Sequence, residues 1–384
     1  MRVLKATNVY EESLDRVRFL FREFENVIVD FSGGKDSTAV LGICLEVARE
    51  MGRLPLRVLF LDQEAEWQAT VDYTDSVMRS GEVEPLWYQM PIRISNATSV
   101  FESWLHCWDP RHEKEWIHPK SDISIHENEF GCDRFHKLLQ TIPRTLHPGE
   151  PTCSIAGVRT QESPARYAGL TSFATYKHIT WGRKDGENYV FHPIYDWQIS
   201  DVWKYIHDSG LSYNRIYDHM YQAGYSIPKM RVSNLHHETA LHALFHLQEI
   251  EPRTWQRVSS RLRGVNTAGH MGLADYFIKD LPFMFESWVE YRDHLLENLI
   301  PDEQERGKFR EKFGYYDKKY AAMSRRGFDD YARVCINSVM VHDIEFVKLL
   351  NFWVSPNVAS WRAYMKGKYH PDHEKNKFIR REAS

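Results

Sequence analysis

The feature that most constrains the fold is an apolar run followed directly by a glycine pair and an amphipathic helix. Residues 27–31 (VIVDF) have the composition of a buried strand, and residues 32–37 (SGGKDS) end it. Apolar residues then recur at helical spacing over residues 36–51. A glycine pair lets the backbone approach a ligand closely, and the helix start that follows presents unpaired N–H groups. The segment therefore predicts an anion-binding loop between a strand and a helix.

Strands and helices alternate through the first part of the chain. Apolar runs at residues 57–62 and 85–90 predict two more strands, and residues 66–79 between them have helical spacing. Residues 153–159 predict a fourth strand, and residues 175–196 predict a hairpin that turns near Asp185 and Gly186. This order predicts an α/β fold, with a parallel sheet that carries helices on both faces.

The length of 384 residues favours either one large domain with a helical extension or two domains. We expect a nucleotide-binding domain over residues 1–230, with a partly helical insertion over the sheet edge at about residues 101–150. Helical patterns dominate afterwards, so we expect a mainly helical region over residues 231–384.

The composition excludes several classes of protein. No apolar stretch approaches the roughly 18 residues that a membrane-spanning helix needs, and the N-terminus has no apolar signal region. We therefore expect a cytoplasmic chain with no membrane partner. The five cysteines include no close pair, which argues against a disulfide framework, an iron–sulfur cluster and a Cys-only zinc site.

The loop carries the side chains that a phosphate group needs. Lys35 adds a positive charge, and Asp36 is a candidate Mg²⁺ ligand. The spacing differs from a Walker A loop, which has four residues between its first glycine and Gly-Lys. The alternative is a purely structural glycine turn that caps a helix and binds no ligand. The predicted phosphate-binding residues are Ser32, Gly33, Gly34, Lys35 and Ser37.

The hexapeptide SGGKDS resembles the PP-loop signature of the adenine-nucleotide alpha-hydrolase superfamily. Four later segments resemble motifs of its phosphoadenosine phosphosulfate (PAPS) reductase-like members, in family order. They lie at residues 60–73, 157–163 (GVRTQES), 192–206 (HPIYDWQISDVWKYI) and 211–225. The resemblance places the chain near the DndC/SspD and IbrA-type proteins, and it implies the HUP-like parallel-sheet fold with bound ATP and Mg²⁺.

The resemblance also implies roles for individual residues. Lys35, Asp36 and Arg159 correspond to catalytic positions, and Asp62, Gly157 and Glu162 join the loop in nucleotide binding. Arg159 and Asp62 follow predicted strands, at the sheet edge where open α/β folds bind ligands. For Arg159 and Glu162, a structural ion pair is an equal alternative.

The chain departs from the family where sulfur chemistry needs a thiol. PAPS reductases end in a nucleophilic cysteine within Glu-Cys-Gly-x-His, which this sequence lacks. We therefore expect an ATP pyrophosphatase that activates a substrate, in sulfur transfer such as DNA phosphorothioation. The alternatives are a sulfonucleotide reductase or sulfotransferase, and a nucleotide-sensing regulatory or defence subunit without turnover. Cys132 and Cys153 are candidate sulfur carriers, with buried packing as the alternative for each.

Two further patterns point to partners or metals. The tail at residues 361–382 mixes aromatic side chains with seven Lys and Arg, which suits nucleic acid as well as a solvated helix. Sulfur transfer would also require a donor protein such as a cysteine desulfurase, or another subunit. His242 and His246 share a helix face, and residues 106–136 are rich in His and Cys, but neither spacing matches a zinc template.

Overall fold

The computed structural model describes residues 6–99, 102, 104–171, 174–227, 230–232, 234–236, 241–266, 280–350 and 352. The chain divides into two compact units. Unit 1 comprises Met1–Ile94 and Trp104–Gly269, and unit 2 comprises Ser95–Ser103 and His270–Ser384. The boundary that the sequence suggests after residue 230 stays a prediction.

A six-stranded sheet forms the centre of unit 1, in the order β3-β2-β1-β6-β8-β7. Its strands are β1 (Asn26–Asp30), β2 (Leu56–Leu61), β3 (Val83–Tyr88), β6 (Thr152–Ala156), β7 (Gly182–Asp185) and β8 (Asn188–Phe191). A separate two-stranded sheet pairs β4 (Ile92–Ser95) with β5 (Trp104–Cys107). Neighbouring strands of the large sheet run parallel except β7 and β8, which form the predicted hairpin. The predicted α/β fold is confirmed.

Helices alternate with these strands along unit 1 and pack against them. They are α1 (Val9–Glu23), α2 (Lys35–Met51), α3 (Gln68–Met78), α4 (Phe135–Leu146), α5 (Pro164–Thr171), α6 (Ile199–Asp208), α7 (Ile216–Gln222), α8 (Leu241–Ile250) and α9 (Pro252–Arg261). Helix α2 packs between α1 and α6 and contacts β1 and β6. Helix α4 packs against β6 and β8 instead.

Helix α2 is fixed at both ends by glycine. Gly34 is its N-cap residue, and Gly52 ends it in the left-handed conformation, with its N–H bonded to the Ala48 carbonyl. Between them, Val40, Ile43 and Val47 are fully buried in the core of unit 1. Because these side chains recur every three to four residues, burying them fixes the rotation of the helix. The helix start is thereby held at the end of β1.

The predicted insertion at residues 101–150 covers both an edge and a face of the sheet. At Ile125 the backbone pairs with edge strand β3, since its N–H donates to the Trp87 carbonyl at 2.7 Å and its carbonyl accepts from the Gln89 N–H at 2.9 Å. A short 3-10 helix (Pro110–Glu115) and α4 supply the helical part of the insertion.

Unit 2 is helical where it is described. Its helices are α10 (Trp288–Leu299), α11 (Glu303–Tyr320), α12 (Arg325–Met340) and α13 (Val347–Leu350). Phe309, Phe313 and Tyr331 form its buried core, and Arg292 pairs with Asp317 at 2.7 Å beside them. None of the helices in the described ranges is long and apolar enough to cross a membrane. The basic tail at residues 361–382 lies outside the described residues.

Candidate functional site

The glycine pair lies in a tight turn between β1 and α2. Gly33 adopts a positive φ of 67°, which favours glycine. Its carbonyl accepts a hydrogen bond from the Asn214 side chain at 3.0 Å, and the N–H of Lys35 donates to the Tyr217 hydroxyl at 3.0 Å. The segment around α7 therefore holds the outer side of the loop and fixes its curvature.

Hydroxyl groups and helix N–H groups gather on the inner side of the loop. The hydroxyl oxygens of Ser32 and Ser37 lie 3.2 Å apart, and that of Ser37 donates to the Gly34 carbonyl at 2.9 Å. Among the described residues, no hydrogen-bond acceptor is recorded for the N–H groups of Asp36 and Ser37. A helix start with open donors and two hydroxyls is an arrangement that can bind an anion, and phosphate binding by these residues stays a prediction.

Three charged side chains meet beside the loop. Oδ1 of Asp36 accepts from Nε of Arg159 at 2.5 Å, and its Oδ2 lies 3.1 Å from Nζ of Lys35. Lys35 and Arg159 are both about 95% buried, at 5% and 4% exposure. Burial lowers the pKa of Lys35, and the nearby charges of Arg159 and Arg231 lower it further against the effect of Asp36. The structure thus brings the three predicted catalytic residues together.

Gly157 allows this close approach of β6 and α2. A Cβ atom at Gly157 would lie 2.7 Å from the carbonyl carbon of Asp36 and 2.9 Å from the backbone nitrogen of Ser37. Gly157, predicted as a nucleotide-binding residue, therefore also has a structural role, because the absence of a side chain lets the turn after β6 contact the backbone at the start of α2. Arg159, two residues later, reaches Asp36 from this turn.

Glu162 and Gln161 hold the turn that carries Arg159. The Glu162 carboxylate accepts from the Arg159 N–H at 3.2 Å and forms an ion pair with Arg166. The Gln161 side chain accepts from Nη1 of Arg159 at 2.8 Å and from the N–H of Ile199 at 2.9 Å. Glu162 thus orients Arg159 through its backbone, and Gln161 orients the guanidinium itself.

A cavity of about 440 Å³ lies next to the loop, at the carboxyl ends of the parallel strands. Open α/β sheets bind ligands at this edge. Its polar lining comes from Asp30, Ser32, Ser37, Gln63, Glu66, Arg183, His192 and Asn234, and its apolar lining includes Phe31, Phe60, Phe135 and Leu139. A mixed lining of this volume suits a nucleoside beside the phosphate loop.

Two acids and a histidine that line this cavity have pKa values shifted towards their uncharged forms. Burial raises the pKa of Asp30 to about 7, although Arg183 opposes the shift. Burial and the charge of Asp62 raise the pKa of Glu66 well above its ordinary value. Burial lowers the pKa of His192 to about 4, and its Nδ1 lies 3.0 Å from the Ala156 carbonyl. At neutral pH the cavity therefore carries less negative charge than its composition indicates.

Asp62 follows β2 as predicted, but its oxygens face the protein. Its carboxylate accepts from the Glu64 N–H at 2.9 Å, from Gln89 at 2.9 Å and from the Trp87 indole at 3.2 Å. Nε2 of His118 lies 3.4 Å from the carboxylate, and both side chains are almost completely buried. Its predicted role in nucleotide binding stays a prediction, since these four partners occupy the carboxylate.

Charge holds this buried pair together. Burial is the largest single influence on the pKa of His118 and lowers it, but the charge and hydrogen bond of Asp62, with the Pro119 carbonyl and the charge of Glu64, together raise the pKa above its ordinary value. Burial would raise the pKa of Asp62, and His118 with the neighbouring donors holds it below its ordinary value. At 3.4 Å the contact is longer than a good hydrogen bond, so the stabilisation is mainly Coulombic.

The donor set at Asp36 does not fit a resident Mg²⁺ ion. Both carboxylate oxygens are engaged by cations, Lys35 on one side and Arg159 on the other. Across the described residues, no group of three or more His, Cys, Asp and Glu side chains is arranged to hold a metal. Mg²⁺ keeps most of its ligands as water and substrate phosphates, so it would enter as part of a nucleotide complex.

The two candidate sulfur carriers occupy different environments. Cys153 is fully buried in the core, and burial raises the pKa of its thiol well above the ordinary value. Its placement favours packing over nucleophilic chemistry. Cys132 is partly exposed, and its sulfur lies 3.8 Å from the Thr141 hydroxyl. Neither cysteine lines the cavity beside the loop.

The histidine-rich segments have structural contacts. His118 pairs with Asp62, as described above, and His126 contacts the Ser124 hydroxyl at 2.9 Å. His246 lies near Glu249 on α8. The other half of the predicted i, i+4 pair, His242, has no described side chain.

Comparison with known proteins identifies the family. Residues 26–224 match the model of the phosphoadenosine phosphosulfate reductase domain, and this match covers the loop, Arg159 and the α7 segment. The chain belongs to the PAPS reductase domain family. Residues 224–346 match a second model, described as a domain of unknown function (DUF3440).

Several proteins resemble this PAPS reductase domain chain. The uncharacterized protein YbdN of Escherichia coli (strain K12) is 26% identical over 94% of this chain and 95% of its own length. Sulfate adenylyltransferase subunit 2 of Shewanella pealeana is 21% identical over 54% of this chain and 65% of its own length. A crystal structure of PAPS reductase from Candida auris has 14% identity and a TM-score of 0.34, over 62% of this chain and 98% of that one.

The PAPS reductase domain holds functional candidates that the sequence did not single out. Asn214 and Tyr217 form hydrogen bonds with the backbone of the loop, and Arg166 forms an ion pair with Glu162 beside the charged group. Asn214 and Tyr217 lie in the motif at residues 211–225, so the family motif was a signal for them. Arg166 lies outside the quoted motifs and reaches the site through Glu162, whereas Asp30 is the last residue of β1, directly before the loop.

Proposed function

We propose that the chain is an ATP pyrophosphatase that activates an acceptor by adenylation. The observation that supports this most strongly is the group Lys35–Asp36–Arg159 at the start of α2, beside open helix donors and a cavity large enough for a nucleoside. Two buried cations at a helix N-terminus suit the charge of a triphosphate. The loop residues Ser32, Gly33, Gly34, Lys35 and Ser37 cradle the β- and γ-phosphates.

The proposed reaction transfers the adenylyl group. An acceptor oxygen forms a bond to the α-phosphorus of ATP, the bond from that phosphorus to the α–β bridging oxygen breaks, and pyrophosphate leaves with the electron pair. Arg159 neutralises charge on the transferring group, and Lys35 neutralises the leaving pyrophosphate. Such catalysis consists mostly of positioning and electrostatic stabilisation, which a preformed, buried charge group provides without reorganisation. The Asp36 carboxylate keeps both cations in place.

The relatives support adenylyl chemistry on a sulfur-containing substrate. Among them is a protein named sulfate adenylyltransferase subunit 2. By analogy we propose that the acceptor here belongs to a sulfur-transfer reaction, of which DNA phosphorothioation is one example. The word subunit in that name also supports a partner protein, and a sulfur donor such as a cysteine desulfurase suits the proposed reaction.

The family description favours a second candidate, a sulfonucleotide reductase. The same cations would bind the phosphosulfate group of PAPS. That reaction requires a thiolate next to the sulfate sulfur, and no cysteine lines the described cavity. Cys132→Ala and Cys153→Ala variants separate the two candidates: sulfite release from PAPS that is lost in either variant would favour the reductase.

The proposal is tested by pyrophosphate release from MgATP, with sulfate, DNA and tRNA offered as acceptors. Wild type is expected to release pyrophosphate, and Lys35→Met is expected to abolish release while it stays folded. Lys204→Ala is the matched control, because Lys204 is an exposed lysine of α6 that pairs with Asp208, away from the loop. ATP binding by wild type without pyrophosphate release under any condition would instead favour the nucleotide-sensing subunit.

A further inference from the structure

The chain segment that follows the PAPS reductase match crosses the loop. We call residues 230–232 and 234–235 the crossing segment; all of them lie within unit 1 and within the DUF3440 match. The carbonyl of Met230 lies 3.5 Å from Nζ of Lys35, and the N–H of Leu235 donates to the Ala65 carbonyl at 2.9 Å. Val232 and Asn234, between these anchors, line the cavity.

This segment brings one more arginine to the charged group. Arg231 directly follows Met230, and its side chain is exposed. Its charge acts on two cations of the site: after burial, Arg231 is the largest influence that lowers the pKa of Arg166, and it also lowers that of Lys35. The geometry agrees with these effects, because the preceding residue, Met230, contacts Lys35 through its carbonyl and the following residue, Val232, lines the cavity.

The charges of this group do not balance. The cations are Lys35, Arg159, Arg166 and Arg231, and the carboxylates are Asp36 and Glu162. Asp36 pairs with Lys35 and Arg159, and Glu162 pairs with Arg166. For Arg231, no ion pair with a carboxylate is recorded within the described residues. Among the described residues, these four cations and two carboxylates leave an excess of two positive charges, which a bound anion would neutralise.

We propose that Arg231, on the crossing segment, binds the phosphate chain of the nucleotide. The inference rests on the proposed function and assigns a substrate-binding role to the DUF3440 region. The charge excess selects for a nucleoside polyphosphate over a monophosphate, because one phosphate at the α2 start leaves Arg231 without a partner. The guanidinium fork suits two oxygens of such a chain.

The test measures binding of ATP, AMP and inorganic tripolyphosphate to the full chain by titration calorimetry. Arg231→Ala is expected to weaken ATP and tripolyphosphate by about tenfold or more, as for a lost hydrogen-bonded charge pair, and to change AMP by less than about twofold. The affinity of Arg231→Lys for ATP and tripolyphosphate is expected to lie between those of wild type and Arg231→Ala, because lysine keeps the charge but lacks the guanidinium fork. Arg253→Ala is the control, since Arg253 is an exposed arginine of the same DUF3440 region, on α9.

The possible results separate the role of Arg231 from the proposed function. Unchanged ATP affinity in Arg231→Ala, or an equal loss for AMP, would overturn the role of Arg231 while the proposed function stands. Wild type that binds tripolyphosphate and not ATP would overturn the proposed function, and the tripolyphosphate comparison would still decide the role of Arg231. Wild type that binds neither would overturn both. Since Arg231 is exposed, all variants are expected to keep the wild-type thermal unfolding midpoint within a few degrees.

Discussion

Nε of Arg159 lies 2.5 Å from Oδ1 of Asp36, although the two residues are 123 positions apart in the sequence. The contact joins the turn after β6 to the first helical turn of α2. It also leaves the other carboxylate oxygen for Lys35, at 3.1 Å. One carboxylate thus positions two buried cations at the point where the helix donors are open.

Asp36→Asn is expected to lower turnover by roughly tenfold or more, because Arg159 and Lys35 lose the group that positions them. ATP affinity is expected to stay equal or to rise, since the substitution removes a negative charge next to a polyanion. Steady-state kinetics of pyrophosphate release give both quantities. Asp196→Asn is the matched control: it breaks the ion pair with Arg16 at 2.7 Å, away from the loop. Equal effects of both variants on turnover would contradict the positioning role of Asp36.

Gly157→Ala is expected to destabilise the fold by about 1–3 kcal/mol and to weaken ATP binding, because the new methyl group meets the backbone of Asp36 and Ser37 at under 3 Å. Chemical denaturation and calorimetry measure the two effects. Gly81→Ala is the control, since no atom lies within 4 Å of the added carbon. Wild-type ATP affinity in Gly157→Ala would show that the helix start shifts without consequence.

The affinity for ATP is expected to fall as the pH rises from 6 to 8. Asp30 lines the cavity, and its pKa of about 7 means that it is mainly protonated at the lower pH and ionised at the higher one. The ionised carboxylate repels a polyanion, so the expected loss is several-fold at this distance. Asp30→Asn should remove this part of the pH dependence, while the titration of ATP itself affects both proteins equally. Parallel pH profiles for the two proteins would rule out the contribution of Asp30.

His118→Gln is expected to destabilise unit 1 by about 3–5 kcal/mol near pH 6, because it leaves the Asp62 charge buried without its partner. The double variant Asp62→Asn/His118→Gln should recover part of this loss. Denaturant unfolding of the single and double variants measures both.

The sign of the pH dependence follows from the two shifts. The raised pKa of His118 gives stability that is complete below about 6.5 and is lost as the pH rises through the higher folded-state value. The lowered pKa of Asp62 gives stability that is present above about 3.8 and is lost as the pH falls through the lower folded-state value. The loss of unfolding free energy caused by His118→Gln should therefore be smaller at alkaline pH than near pH 6. A destabilisation by His118→Gln that does not change with pH would show that His118 and Asp62 do not form a charged pair.

The sequence predicted the elements that local patterns define. The strand at residues 27–31, the loop and the hairpin at Asp185 and Gly186 lie where apolar runs and turn residues place them. The predicted group of Lys35, Asp36 and Arg159 also came together, because two parallel strands that end at one sheet edge place their following turns side by side.

Contacts between distant segments could not be predicted. The segment around His118 is rich in His and Cys, and its sequence does not indicate that this histidine pairs with Asp62, which lies 56 positions earlier. Arg231 carries no local signal, and it reaches the loop only because Met230 and Leu235 anchor the crossing segment to Lys35 and Ala65. A single-sequence pattern holds no record of such long-range packing.

The position of bond cleavage tests the central claim most directly. ATP labelled on its α-phosphate is incubated with wild type and with Lys35→Met, in the presence of Mg²⁺, sulfate, DNA and tRNA. Wild type is expected to convert the label to AMP or to an adenylated acceptor, with one pyrophosphate released per event, and Lys35→Met is expected not to do so. Label recovered as ADP, or labelled ATP left intact under every one of these conditions, would contradict the claim.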